Sequence, residues 1–234
     1  MSIQLQTIWK TLGLSLVAMT IHASPALALN FDSDVPQATQ QQITQDLGFM
    51  ASVSGSKTSK LHQEVFGPMQ GAGYVKWFSD RVLSVGYTDS DMGGAVAYVS
   101  PFMDSTKMVL TKNFTSFDHP QIARLMVVFH EARHTENESG NWPHATCPTP
   151  FNDVQGHEIK SIWTGLPLAG QAGCDEKAIG AYGSSLILLK NISLFCENCN
   201  EKVKMDAQIF ADDQLNRIIS SEAHEALRTD LNGQ

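Results

Sequence analysis

The chain has 234 residues, 24 acidic against 16 basic side chains, a formal net charge of −8 and 42% hydrophobic residues. That length supports one domain with a sizeable core, and the acidic balance argues against a nucleic-acid or anionic-membrane partner. It places no constraint on the fold.

At the amino end the sequence reads as an export signal. Lys10 is the only charge before residue 29, the apolar stretch Thr11 to Ile21 follows, and Ala26-Leu27-Ala28 offers a small-x-small cleavage site. The apolar stretch is too short to span a bilayer comfortably. The expectation is cleavage after Ala28, leaving residues 29–234 as a single exported domain, secreted or periplasmic, monomeric and free of the membrane.

Residues 35–50 have the pattern of a helix with a glutamine-rich polar face, and residues 54–60 form a polar loop. Three β-prone segments follow at 81–88, 95–99 and 107–114, separated by turn formers such as Asp89-Ser90-Asp91 and Ser100-Pro101. They predict a small, mainly antiparallel sheet. Asp118 is placed to cap a helix beginning near Pro120. From Gln121 to Glu136 apolar side chains cover most of the circumference, which predicts a buried helix. Residues 137–173 are a long Gly/Pro/Asn-rich stretch of the kind that carries function or is tied by disulfides. A second helix is expected over 175–191 and amphipathic helices over 200–212 and 214–229. The fold class is α+β, a small sheet packed on the buried helix with further helices at the carboxyl end.

Chemistry concentrates in His130-Glu131-Ala132-Arg133-His134. On a helix, residues four apart stand one turn apart on one face, so His130 and His134 can bind a single Zn2+ ion, with Glu131 within reach of its open side. Two imidazoles and a carboxylate on an almost wholly apolar helix would be costly to bury without such a partner. A catalytic zinc site needs a third protein ligand. Asp175 is the first choice, with Glu176 and His144 as alternatives and His157-Glu158 a distant fourth. Tyr182, on the face of Asp175 in the expected second helix, could donate to a developing oxyanion; a tyrosine merely packed with its hydroxyl outward is the plainer reading. The four cysteines pair in expectation as Cys147–Cys174 and Cys196–Cys199, in an oxidising compartment.

With these residues the chain resembles the zincin metallopeptidases. The HExxH motif, the strand before it and the buried helix resemble the small sheet-plus-helix unit of that family. The resemblance implies that His130 and His134 are zinc ligands and that Glu131 activates water and then protonates the leaving amine. Downstream, Thr135 to Gly140 differs from the metzincin pattern; Asp175 with Tyr182-Gly183 is similar to aspzincins, and Glu176 to the distal ligand of gluzincins. The expected function is a zinc-dependent peptidase or amide hydrolase acting on a peptide or protein. Two other readings compete: a non-catalytic zinc-binding protein, and a disulfide-stapled binding or redox module built on Cys196 and Cys199.

Overall fold

Residues 29–116 and 118–232 are described by a computed structural model; the export signal expected over residues 1–28 lies outside them. Strand β1 (Asn30–Phe31) leads into helices α1 (Gln37–Ser52), α2 (Lys60–Phe66) and α3 (Gly71–Ser79) and only then into β2 (Ser84–Thr88). Next come β3 (Ala97–Ser100), the single turn α4 (Pro101–Asp104), β4 (Ser105–Thr111), the short α5 (Lys112–Thr115) and the long helix α6 (Gln121–His134). A small ladder of β5 (Ala145–Thr146) and β6 (Ala172–Cys174) precedes α7 (Ala181–Phe195), α8 (Glu201–Asn216) and α9 (Ser221–Asn232).

The fold is α+β, as expected, but the sheet is mixed rather than mainly antiparallel. Its order is β1-β2-β4-β3, with β1–β2 and β2–β4 parallel and β3–β4 antiparallel. Two causes produce this. Helices α1 to α3 form the crossover that returns the chain parallel to β1. Residues 89–96 then carry it past the β4 position to the sheet edge, where Pro101–Asp104 reverses it, so β3 pairs with β4 as a hairpin and β2 meets β4 in parallel. In α3, Gly71 answers a packing demand: a Cβ there would lie 1.9 Å from the Ala51 carbonyl oxygen of α1.

Helix α6 sits at the centre, packed by α7, α8, α1 and strands β3 and β4. Ile122, Leu125, Phe129 and Ala132 are buried, and Phe129 stacks on Trp77 of α3 with ring centroids 5.5 Å apart. Arg124 forks onto Asp46 of α1 through Nε at 2.6 Å and Nη2 at 2.8 Å, fixing the helix lengthwise. Pro120 occupies the N-cap with no side-chain cap bond, so Asp118 does not cap α6.

Helix α7 begins at Ala181, later than expected. Asp175 precedes it in extended backbone, donating its N–H to the Arg217 carbonyl and accepting from the Ile219 N–H, each at 2.9 Å. Both expected disulfides are present: Cys147–Cys174 with Cα atoms 5.2 Å apart and Cys196–Cys199 at 5.5 Å. Among the described residues no helix is long and apolar enough to cross a membrane.

Candidate metal centre

His130 and His134 leave the last turn of α6 on one face, as four-residue spacing dictates, with Nε2 atoms 3.2 Å apart. His144 Nε2 completes a triangle, 3.1 Å from each. Ligand nitrogens around a tetrahedral ion with bonds of about 2.0–2.1 Å stand roughly 3.3 Å apart, so the triangle has the right size for one metal. The three imidazoles form a group able to hold a metal ion.

Outer partners fix the tautomers. His134 Nδ1 is 2.8 Å from the Asn141 carbonyl oxygen, and His144 Nδ1 is 2.9 Å from Asp175 Oδ1. A carbonyl and a carboxylate accept only, so both Nδ1 atoms carry hydrogen, and a neutral ring in this arrangement presents its lone pair at Nε2. Two lone pairs converging at 3.1 Å repel unless a cation lies between them. Burial and the neighbouring histidines hold His130 well below the usual imidazole range. Burial foremost, with the adjacent His144, depresses His134 to about 4. Both are therefore neutral near pH 7, the form that ligates metal.

The first choice for third ligand, Asp175, stands behind the triangle instead of in it. Its Oδ1 accepts from His144 while Oδ2 accepts from the Tyr182 backbone N–H at 2.8 Å. The β5–β6 ladder explains the arrangement: Ala145 pairs with Cys174 in antiparallel register, which sets the adjoining His144 and Asp175 side by side. Carboxylate–histidine pairs of this kind fix ring orientation and raise ligand basicity. Glu176 is exposed, and so are His157 and Glu158; His157 pairs locally with Asp153 at 3.3 Å.

Glu131 is buried and lines the same cleft as His130 and His144. Its Oε2 has no hydrogen-bond partner, and burial pushes the carboxyl up to about 8. An orphaned acidic oxygen next to three converging imidazoles fits a cation carrying a water molecule far better than it fits a packed core. Tyr182 lies over the ligands, with ring centroids 4.4 Å from His130 and 4.6 Å from His144.

Arg217 escapes any reading of the sequence, because the residues around it have the look of a packing helix. It follows α8 directly, and its Nη1 donates to Tyr182 Oη at 3.1 Å and to the Gly173 carbonyl at 3.3 Å. Its charge is offset by Asp213, 3.4 Å from Nε. No local pattern marks it; only the parallel bridge of Asp175 with Ile218 brings it to the site.

A cleft of about 630 Å³ opens over these groups. Its wall includes His130, Glu131, His144, Tyr182, Arg217 and the Met92–Ala97 segment entering edge strand β3. No protein-family profile, no curated protein and no solved structure matches this chain.

Proposed function

We propose that the protein is an exported zinc-dependent peptidase or related amide hydrolase of the zincin type, with His130, His134 and His144 as ligands and Glu131 as the catalytic base. The observation carrying this reading is the convergence of three Nε2 atoms at 3.1–3.2 Å, together with an unpartnered Glu131 oxygen, at a cleft lined by His130, Glu131 and His144. When bound, zinc supplies a Lewis acid that polarises an amide carbonyl and lowers the pKa of water.

The chain's own residues account for the rest. Glu131 accepts a proton from the attacking water and passes it to the departing amine. Tyr182 Oη accepts from Arg217, which leaves the phenolic hydrogen free to donate to the substrate oxygen as negative charge develops there. Asp175 holds His144 in its ligating tautomer. Edge strand β3 offers an extended peptide a backbone to pair with along the cleft. Two disulfides support an oxidising compartment and hence export. The tie of Glu197 and Asn198 to Ser54 and Ser56, with Cys196 buried, supports a structural rather than redox role for Cys196–Cys199.

Substituting Glu131→Gln tests the assignment. Metal content is expected to persist, while hydrolysis of an unfolded protein substrate falls by about 10²- to 10⁴-fold. A wild-type rate in that variant would remove Glu131 from the mechanism. Stoichiometric zinc in a wild-type protein without hydrolytic activity would favour the non-catalytic metal-binding reading instead.

A further inference from the structure

The third imidazole arrives on a turn bent against its own preferences. Gly140, Asn141 and Trp142 have φ values of 67°, 62° and 47°, three left-handed residues in succession. Glycine and asparagine visit that region readily. Tryptophan does not, and a residue preceding proline, here Pro143, normally lies extended. Trp142 therefore keeps this conformation only if its surroundings impose it.

Those surroundings are specific. The indole Nε1–H donates to Glu136 Oε2 at 2.6 Å. The Arg133 guanidinium lies 4.4 Å above the ring and the Lys177 ammonium 5.2 Å from it. Glu136 is held in turn by Arg133 Nη1, at 2.6 Å from each oxygen, and by Arg81 Nε at 2.7 Å. Asn141 anchors the other side, its Nδ2 donating to the His134 carbonyl at 2.8 Å and its N–H to the Glu136 carbonyl at 3.0 Å. Two residues beyond Trp142, His144 meets the other two imidazoles.

We infer that Trp142 is a positioning residue for the metal centre: the Glu136–indole bond locks the left-handed turn that carries His144 to His130 and His134. The inference rests on the three-histidine metal reading but not on hydrolysis. If the indole only covered the Arg133–Glu136 ion pair, its loss would change stability and leave the metal's coordination alone.

Co2+ binding separates these cases, read by chelator competition for affinity and by the visible d–d spectrum for coordination. Trp142→Phe keeps an aromatic ring for both cations but deletes the N–H donor. Affinity is expected to fall about tenfold, within the range seen for outer partners of metal ligands. The spectrum is expected to weaken as water replaces a detached imidazole and the coordination number rises. Should Trp142→Phe fail to fold, benzothienylalanine at position 142 preserves the shape of the side chain while replacing N–H with sulfur, and the same result is expected. Wild-type affinity and spectrum in either Trp142 replacement would overturn the proposal. A wild-type protein that binds no Co2+ would overturn the metal centre itself, whereas one that binds Co2+ but hydrolyses nothing would overturn only the peptidase.

Discussion

Glu131 and Glu136 stand five residues apart and meet opposite treatment. Glu136 is half-buried and saturated: burial pushes its carboxyl up, but donation from Trp142 and the charges of Arg133 and Arg81 outweigh this and hold it below the usual range. Glu131 is more deeply buried, has an oxygen with no partner and is raised to about 8 by burial. A fold able to surround one carboxylate with three donors has left the other bare on the cleft side. On the function proposed above, the difference separates a group that secures backbone geometry from one held ready for chemistry, because buried polar atoms are normally satisfied unless something else is meant to meet them.

Substituting both carboxylates breaks the comparison most directly. Glu136→Ala strands Arg133 and Arg81 and is expected to cost about 3–5 kcal/mol of folding stability. Glu131→Gln is expected to cost under about 1 kcal/mol in metal-free protein, since it deletes a buried ionisable group that has no partner to lose. Urea denaturation of the two variants measures both; equal losses would show that Glu131 is a structural carboxylate after all.

Asp175→Asn sharpens the contrast on the ligand side. An amide serving His144 with its oxygen turns its NH2 toward the Tyr182 N–H, so one of two bonds is lost. Metal affinity is expected to drop about 10- to 100-fold, measured by competition with a chromogenic chelator. An unchanged affinity would make Asp175 a cap for α7 and nothing more.

The last contrast concerns a fourth histidine. His62 is more deeply buried than the three site histidines, yet both of its nitrogens are satisfied: Nδ1 donates to the Gly67 carbonyl at 3.0 Å and Nε2 accepts from Tyr74 Oη at 2.6 Å. Burial lowers it from 6.5 to about 4. The unfolded chain therefore binds the proton first as pH falls. The contribution of His62 is complete above about pH 6.5 and drains away toward pH 4, amounting to about 2 kcal/mol lost by pH 5. His130 and His134 add to the same slope, so the measurement is the difference between wild type and His62→Gln in urea melts at pH 7.5 and 5.0. Parallel losses in the two proteins would contradict the shift.

Local pattern carried a good share of this molecule. The buried helix, both carboxyl-terminal amphipathic helices, the His130-Glu131-His134 set and the Cys196–Cys199 pair are legible because each is written over a few neighbouring residues, and with four cysteines that pair leaves Cys147–Cys174. The features that local pattern misses are settled between distant residues. β1 has two residues and no periodicity to read, and the parallel pairing of β2 with β4, which makes the sheet mixed, joins segments far apart in sequence. α3 opens on glycine, a poor helix former, because Gly71 must press against Ala51. The third imidazole and Asp175 were both within reach of the metal on paper. The β5–β6 register and the turn at 140–142 decide which of them faces it, and neither leaves a mark in composition. Arg217 is nearer still to the limit, since a bridge between Asp175 and Ile218 is all that introduces it.

The Cys147–Cys174 bond joins the two strands that end beside His144 and Asp175. Sulfur chemistry thus stands between synthesis and competence. A newly made chain with reduced thiols lacks the covalent clasp that keeps a ligand beside its orienting carboxylate, so its hold on a metal would mature only as those thiols oxidise. Assembly would then follow the redox state of the chain's surroundings.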